Sequence, residues 1–387
     1  MINSSLVGII HEAAHHPQIG GILGALHGIE GILHEDLVDL GKEEPSVIKG
    51  LSHTPSSALG SCRHRLSADE YEKAMAVLQA HNVRYLLYMG GNDSMDTAQK
   101  LEQLAKDVGY QIQVIGVPKT IDNDLPHTDH CPGYGSAARF IATVVRDAGL
   151  DTAAMNVIDK VKVIEVMGHN AGWVAAAAAL AKEREDDAPH LIYVPERHLV
   201  FDRFLAEVQR VYERYGHAVI VASEGLRGPD GQLLFASSLS IDLDGFGHPQ
   251  LGGVADLLCR LIADELRLKS RSDKPGTIQR VAMRLTSTTD VDEAYLVGQM
   301  AVRYAVEGVS GHMVTLVREP GPEYHCHTGL VELEKVANAE RPLPDEYLNE
   351  AGNFVAPAFL DYARPLIGSP LPKYVRLQGH PVPRLIC

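Results

Sequence analysis

Residues 112–124 read Ile-Gln-Val-Ile-Gly-Val-Pro-Lys-Thr-Ile-Asp-Asn-Asp, an apolar run followed directly by a polar loop. The run Ile112–Val117 predicts a strand. The loop delivers a lysine, a threonine and two aspartates to the end of that strand, which is typical of a site that handles phosphate. Lys119 can hold a negatively charged oxygen, and Asp122 and Asp124 can bind a metal or accept a proton.

Strand and helix patterns alternate on both sides of this stretch. The predicted strands are Tyr85–Met89, Ile112–Val117, Val161–Met167, Leu191–Val194, Ala218–Ala222 and Met313–Val317. The predicted helices are Leu6–His16, Asp93–Asp107, Gly135–Asp147, about Gly172–Lys182, Phe204–Tyr215, Leu251–Leu266 and Val291–Val306. This alternation predicts an α/β fold of mainly parallel sheets covered by helices on both faces, and 387 residues suggest about two domains.

The polar motifs fall where a fold of this kind places its site. In open parallel sheets, the loops that follow the carboxyl ends of the strands carry the functional residues. Four motifs occupy such loops: Gly90–Ser94, Pro118–Asp124, Met167–Gly172 and Ser223–Gly225. We therefore expect these loops to lie together.

Composition excludes several classes of protein. The net charge of −15 disfavours nonspecific nucleic-acid binding, which needs a basic surface, so anionic substrates must be held by local lysine, arginine or metal. No apolar run approaches the ~20 residues that cross a bilayer, and no signal peptide is visible. The five cysteines are scattered and odd in number, which predicts reduced thiols and a cytoplasmic location.

Three motifs together resemble the phosphofructokinase family: Gly90-Gly91-Asn92-Asp93-Ser94, Pro118–Asp124 and Met167-Gly168-His169-Asn170-Ala171-Gly172-Trp173. The nearest branch looks like the one that uses pyrophosphate in place of ATP. The resemblance implies two Rossmann-like domains with the active site in the cleft between them. It also implies reversible phosphoryl transfer, with Mg²⁺, from pyrophosphate to the 1-hydroxyl of fructose 6-phosphate. The products would be phosphate and fructose 1,6-bisphosphate, in glycolysis or gluconeogenesis.

The two domains have expected boundaries. Residues 1–134 plus about 277–318 would bind the phosphoryl donor. Residues from about 135 to 276 plus 319–387 would bind the sugar phosphate, with Glu319–Cys387 as a C-terminal extension packed on this second domain.

The resemblance assigns the donor to Gly90, Gly91, Asn92, Asp93, Arg63 and Lys119. In ATP-using relatives positions 93 and 119 are both glycine, which leaves room for the nucleotide. Here Asp93 would repel the α-phosphate region of ATP, while Lys119 suits a compact pyrophosphate. The metal candidates are Asn92, Asp93 and Asp124, of which Asn92 is a neutral and weaker ligand than the aspartate that is frequent in the family.

The transfer step is assigned by the same resemblance to Asp122, Lys119, Thr120 and Asp124. Asp122 would accept the proton of the sugar 1-hydroxyl as that oxygen attacks phosphorus. Thr120 would orient the reacting end of the sugar phosphate, and Asp124 would position Asp122 or the metal.

The sugar phosphate would be bound by Thr120, Asp122, Met167, Gly168, His169, Glu224, Arg280, Lys160 and Arg271. Arginine is usual in the family where His169 stands, and Lys160 also replaces an arginine, which loses the two-pronged hydrogen bonding of a guanidinium. In relatives, residues matching Lys160 and Arg271 reach into a neighbour's site. The resemblance thus implies a homodimer or homotetramer with shared active sites.

The N-terminal segment departs from the expected pattern. Asn3, Ser4 and Ser5 predict a helix N-cap region, and no strand precedes the helix. Family members carry a first strand and a Gly-rich loop before this point. We therefore expect roughly 15–20 further residues, one strand plus a turn, upstream of Met1.

Two metal-like patterns and three other functions stay open. His11-Glu12-Ala13-Ala14-His15 has the form of a zinc motif, but the short helix and Pro17 favour a solvated helix face. His325-Cys326-His327 lies in an extended segment whose alternation separates the histidines from Cys326, which favours plain surface. The alternative functions are an ATP-dependent reaction, another sugar phosphate such as sedoheptulose 7-phosphate, and a catalytically silent regulatory homologue.

Overall fold

The computed structural model describes residues 1–234 and 253–385. Its strands are β1 Leu23–Ala25, β2 Leu37–Asp39, β3 Tyr85–Gly90, β4 Gln113–Pro118, β5 Val161–Val166, β6 Leu191–Tyr193, β7 Ala218–Ser223, β8 Ser270–Asp273, β9 His312–Arg318 and β10 Cys326–Glu332. Its helices are α1 Ile2–Ala13, α2 Ile29–His34, α3 Pro45–Leu51, α4 Ala68–Ala80, α5 Asn92–Asp107, α6 Tyr134–Ala154, α7 Trp173–Ala177, α8 Phe201–Tyr215, α9 Val254–Leu266, α10 Thr288–Val306 and α11 Pro357–Ala363.

The described strands form two four-stranded sheets and one short antiparallel pair, β1 with β2. The first sheet has the order β10-β9-β4-β3, in which β3, β4 and β9 run parallel and β10 runs antiparallel to β9. The second sheet has the order β6-β7-β5-β8, and all its pairs are parallel. The predicted α/β fold with mainly parallel sheets is confirmed.

The central strands are buried because helices cover both faces of each sheet. In β5, Ile164 packs with Ile141 of α6, whereas its neighbour Val163 packs with Leu258 of α9 on the other face. Every residue of β5 and β7 is buried. This two-sided burial explains why the strands read as apolar runs rather than as alternating patterns.

The predicted elements recur with shifted ends. Helix α6 continues to Ala154, beyond the predicted end at Asp147. The alanine-rich helix is the five-residue α7 followed by a 3₁₀ turn over Ala178–Ala181. The predicted helix start at Leu251 lies outside the described residues, and α9 begins at Val254.

Helix α1 corrects one prediction from the sequence. It begins at Ile2, so Asn3–Ser5 are buried helical residues rather than an N-cap. Asn3 Nδ2 donates to Thr54 O at 3.0 Å, and Asn3 Oδ1 accepts from Ala58 N at 2.8 Å, so this side chain is used in a tertiary contact. Glu12 is buried and accepts from Arg303 Nε at 2.8 Å. Of the two histidines predicted to lie on a solvated face, His15 is exposed and His11 is half-buried, with its Nδ1 3.0 Å from Tyr295 Oη.

The C-terminal part corrects a second prediction in part. Strand β10 pairs with β9 along its whole length, so Cys326–Glu332 extends the first sheet instead of packing on the second domain. Later residues of the extension, such as Leu343 and Phe359, belong to the core around β5 of the second sheet. Within this strand His327 Nδ1 lies 3.2 Å from Glu319. The exact domain boundaries stay a prediction.

No helix in residues 1–234 and 253–385 is long and apolar enough to cross a membrane.

Helices α1 and α10 meet through two glycines. A Cβ atom on Gly8 would overlap the carbonyl oxygen of Tyr295, and one on Gly298 would overlap the carbonyl oxygen of Ser5. The backbones are therefore in direct contact, and a side chain at either position would force the helices apart.

We expect Gly298→Ala to lower the free energy of unfolding by about 1–3 kcal/mol, because the added methyl group meets a backbone atom that cannot rotate away. Urea unfolding followed by circular dichroism measures the change. The matched control is Gly50→Ala in α3, where no atom described in the structure lies within 4 Å of the added Cβ. It should be neutral or stabilising by up to about 1 kcal/mol. Equal effects at the two positions would contradict the close helix contact.

Candidate active site

The loop Pro118–Asp124 is attached to both of its neighbours in the fold. Lys119 N donates to Gly90 O at 2.9 Å, which joins the loop to the end of β3. Thr120 N donates to Pro132 O at 3.2 Å, next to the start of α6. Thr120 Oγ1 accepts from Asp122 N at 3.1 Å. These bonds fix the polar side chains at the carboxyl end of β4, where the sequence predicts them.

Asn123 turns the chain between the two aspartates. Its φ of 57° lies in the left-handed region, which asparagine tolerates better than most residues. Its Nδ2 donates to Tyr362 Oη at 2.9 Å and its Oδ1 accepts from Cys131 N at 2.9 Å. The sequence motifs predict no role for Asn123, although an asparagine within a polar loop is a recognisable turn signal.

The charges on this loop perturb one another. Burial raises the pKa of Asp122, and the nearby Lys119 opposes this rise. Burial, followed by the charge of Asp122, raises the pKa of Asp124 to about 7. Burial lowers the pKa of Lys119, against the attraction of Asp122. A carboxylate with a raised pKa is a stronger base, which suits Asp122 to accept a proton.

The glycine loop after β3 lies beside these carboxylates. Helix α5 begins at Asn92, directly after Gly90 and Gly91, with Asp93 in its first turn. Asn92 Nδ2 donates to Asp124 Oδ2 at 2.9 Å. Asn92 Oδ1 and Asp124 Oδ1 are both buried with no hydrogen-bond partner among the described residues. Two such oxygens on side chains that hydrogen-bond each other call for a ligand that the protein itself does not supply.

Three cationic side chains reach one cavity of about 580 Å³: Arg63, Lys119 and Arg280. Gln279, Ser61, Met1 and Ile2 also line it. A cavity with this lining is suited to a multiply charged anion. A second cavity, of about 540 Å³, is mainly apolar and lies along β3. The lining of this second cavity contains none of the predicted site residues, all of which fall within the described ranges.

The loop Met167–His169 follows β5 and is held from two sides. Met167 N donates to Gln279 Oε1 at 3.1 Å. Gly168 O accepts from Ser223 Oγ at 2.6 Å, and Gly168 N donates to Glu224 Oε1 at 3.4 Å. Gly168 has a φ of 144°, a conformation that favours glycine. The loops after β5 and β7 thus form one unit, as the sequence predicts.

Glu224 connects this unit electrostatically to the loop after β4. Burial is the main cause that raises its pKa to about 7, and the negative charges of Glu165 and Asp122 contribute smaller increases. Gln279, which accepts from Met167 N, lines the same cavity as Lys119, so the site loops of the two sheets meet at one cavity.

Lys160 and Arg271 lie elsewhere. Lys160 precedes the first residue of β5, and Arg271 is paired with Lys162 near the same end of that strand. At about 3.3 Å per residue, this end is about 20 Å from Met167. Lys160 Nζ donates to Asn156 O at 2.6 Å, and Arg271 pairs with Asp159. Within one chain, the structure does not bring these two residues to the other site residues.

The site also contains residues that the sequence analysis missed. Gln279 is buried and orients Met167, as described above. Arg341 N donates to Asp124 O at 2.6 Å, and Glu340 Oε1 accepts from Asn170 Nδ2 at 3.1 Å. Arg341 and Glu340 come from the C-terminal extension, where the sequence offers no motif that would indicate a site.

Comparison with known proteins identifies the family. Residues 1–305 match the family described as Phosphofructokinase. The chain belongs to the phosphofructokinase family. A pyrophosphate–fructose 6-phosphate 1-phosphotransferase of Xanthomonas campestris pv. campestris is 44% identical over 394 residues, covering 98% of this chain and 93% of that protein. A second protein of that name, from Methylococcus capsulatus, is 40% identical and covers 99% of this chain and 94% of its own.

A solved structure of a family member has the same fold. The pyrophosphate-dependent phosphofructokinase of Nitrosospira multiformis is 38% identical, with a TM-score of 0.86. The match covers 100% of this chain and 95% of that structure. The resemblance inferred from the three motifs is therefore confirmed at the level of the family.

The raised pKa of Glu224 predicts a pH-dependent stability. The folded chain holds its proton up to about pH 7, whereas the unfolded chain loses it near 4.5. The stabilising contribution is therefore complete below about pH 4.5 and lost as the pH rises through 7. Relative to Glu224→Gln, which stays neutral, the wild type should lose up to about 1.4 kcal/mol per pH unit across this window.

Urea unfolding between about pH 5 and pH 8 measures this difference. The matched control is Glu346→Gln, an exposed carboxyl in the C-terminal part. A wild-type pH profile parallel to that of Glu224→Gln would contradict the burial of a protonated Glu224.

Proposed function

We propose that this chain transfers a phosphoryl group from pyrophosphate to the 1-hydroxyl of fructose 6-phosphate. The observation that carries the proposal is a cavity lined by Lys119, Arg63 and Arg280 at the end of β4, with Asp122 on the same loop as Lys119. The relatives that match nearly the whole chain carry the name of this activity. The free energy of cleaving pyrophosphate is comparable to that of cleaving the phosphate ester formed, so the reaction would be reversible. It would serve glycolysis or gluconeogenesis.

The choice of donor follows from the charges at two positions. Lys119 borders the cationic cavity, where it can neutralise the compact double phosphate of pyrophosphate. Asp93 stands in the first turn of α5, at the end of the donor loop. Its carboxylate repels a nucleotide whose α-phosphate would extend past this point, so the same pair of residues favours pyrophosphate and disfavours ATP.

The transfer needs alignment and charge neutralisation more than covalent chemistry. Asp122 accepts the proton of the 1-hydroxyl, and its raised pKa matches that task. Lys119, Arg63 and Arg280 stabilise the negative charge that spreads over the transferring group. Thr120 orients the reacting end of the sugar phosphate.

The sugar is held by the loops of the second sheet. Glu224 hydrogen-bonds the sugar hydroxyls, and Met167, Gly168 and His169 shape the floor beneath them. Because Gly168 is fixed to Ser223 and Glu224, the floor is preformed.

The residues present fit a magnesium ion. Asn92 Oδ1 and Asp124 Oδ1, which have no hydrogen-bond partner among the described residues, are hard oxygen ligands of the kind that Mg²⁺ prefers. No group of three or more histidine, cysteine, aspartate or glutamate residues within the described ranges could hold a metal. Mg²⁺ suits such a sparse site, because it commonly binds through one or two protein ligands and the substrate phosphates. When bound, it would neutralise phosphate charge during the transfer.

The remote pair Lys160 and Arg271 supports an assembly with shared sites. Both lie at the end of the second sheet opposite the sugar loop, where a neighbouring subunit can be reached. We infer a homodimer or homotetramer in which these cations enter the neighbour's site. We also infer a cytoplasmic location, because the five cysteines are scattered and odd in number, which is typical of reduced thiols.

The donor assignment predicts the effect of Lys119→Gly. The wild type should phosphorylate fructose 6-phosphate with pyrophosphate and Mg²⁺ and be inactive or far slower with ATP. The variant should lose at least about tenfold in kcat/KM for pyrophosphate, a loss of about 1.4 kcal/mol of transition-state stabilisation. The control is Lys373→Gly, an exposed lysine outside the cavity. Unchanged pyrophosphate kinetics, or an efficient reaction with ATP, would contradict the donor assignment.

The base assignment predicts the effect of Asp122→Asn. Without the carboxylate, kcat should fall by at least about a hundredfold, since general base catalysis commonly contributes 10²–10⁴-fold. Calorimetry should show that fructose 6-phosphate still binds, because the amide keeps the shape of the side chain. Asp361→Asn, exposed on α11, is the control. Retained turnover would place the base on another residue, and silence of the wild type with either donor would favour a regulatory homologue.

A further inference from the structure

The guanidinium of Arg341 lies against the backbone of the loop that follows the catalytic aspartates. Its Nε and Nη2 donate to Asn123 O at 3.3 and 2.8 Å. Its Nη1 donates to Thr128 O at 2.6 Å and to Asp129 O at 2.7 Å. One side chain thus closes a bend of the chain that begins one residue after Asp122.

The other side of Arg341 contacts the second sheet through Trp173. The guanidinium carbon lies 4.6 Å from the centre of the indole ring. Trp173 Nε1 donates back to Arg341 O at 3.1 Å. Trp173 is the first residue of α7, which follows the sugar loop, and it is fully buried. Arg341 therefore stands between the loop of the first sheet and a rigid part of the second.

The residues around Arg341 strengthen this connection. On one side of it in the chain, Glu340 accepts from Asn170, next to the sugar loop. On the other side, Leu343 N donates to Glu196 Oε1 at 2.7 Å, and Gly172 N donates to the same oxygen at 2.9 Å. The segment 340–343 is thus bound to the second sheet before and after the point where Arg341 N meets Asp124 O.

We propose that Arg341 is a positioning residue for phosphoryl transfer, which fixes the direction of the Asp122 and Asp124 carboxylates by holding the backbone of residues 123–129 against Trp173. This inference rests on the proposed function, in which Asp122 is the base. Arg341 touches no substrate in this scheme. It acts through the loop, so its loss affects the chemical step more than the binding of either substrate.

Lysine cannot replace this arginine. The guanidinium directs hydrogen bonds to three carbonyl groups while its flat face lies over an aromatic ring. An ammonium group has neither the span nor the flat face. Arg341→Lys should therefore keep the charge and lose most of the positioning.

The kinetic test compares Arg341→Lys and Arg341→Met with the wild type. We expect kcat with pyrophosphate to fall by about tenfold to a hundredfold, since a misplacement of about 1 Å can have that effect. The KM for fructose 6-phosphate should change by less than about threefold, because the sugar loop keeps its other bonds. The control is Arg376→Met, which removes an arginine of the same C-terminal part that pairs with Asp187 outside the site. A normal kcat in a folded Arg341→Lys overturns the proposal.

Two further measurements do not depend on turnover. Trp173 is the only tryptophan of the chain, so intrinsic fluorescence reports on the contact with Arg341. Arg341→Met should change its emission, and Arg376→Met should not. Amide hydrogen exchange over residues 122–129 should be faster in both Arg341 variants than in the wild type. Unchanged exchange in both variants overturns the proposal.

These readouts separate the inference from the proposed function. If the wild type is silent with pyrophosphate and with ATP, the proposed function fails. Faster exchange over residues 122–129 in the variants would then still support the role of Arg341 in holding this loop. If the wild type is active and the variants match it in kcat, the proposed function stands and the inference fails.

Discussion

The partial burial of opposite charges at the end of β4 is the constraint on which the rest of this site depends. Asp122, Asp124 and Lys119 sit within a few residues of one another, in surroundings where each would be unfavourable alone. They are tolerable because the loop backbone is fixed by bonds to β3, to the start of α6 and to Arg341. A loop free to move would let the charges reach water and lose their altered acidity.

Local sequence accounts for much of this arrangement. Strand β4 and its polar loop are contiguous in sequence, so both can be predicted from the local pattern. The same holds for the loops after β3, β5 and β7. The polar strand β8, Ser270–Asp273, has no local signal, because only its pairing with β5 makes it a strand. Asn3 reads as a cap, yet the contacts it makes with Thr54 and Ala58 place it inside a helix.

The residues that orient the site loops could not be predicted from the sequence for a related reason. Gln279 and Arg341 lie far along the chain from the loops they orient. Gln279 stands directly before the predicted site residue Arg280, which is a signal for its place but not for its contact with Met167, and Arg341 has no such neighbour. Their roles depend on contacts between segments that are distant in sequence, whereas a motif contains only residues that are neighbours in sequence. The family resemblance indicates what the loops do, and the structure adds what holds them still.

The contact of α1 with α10 affects the shape of the cationic cavity as well as the stability of the fold. The first turn of α1 lines the cationic cavity, and the same helix touches α10 backbone to backbone at Gly8 and Gly298. Anything that widens that crossing also moves a wall of the cavity. Selection for stability and selection for anion binding would therefore both retain Gly8 and Gly298. Laboratory evolution for either property should leave these two glycines unchanged.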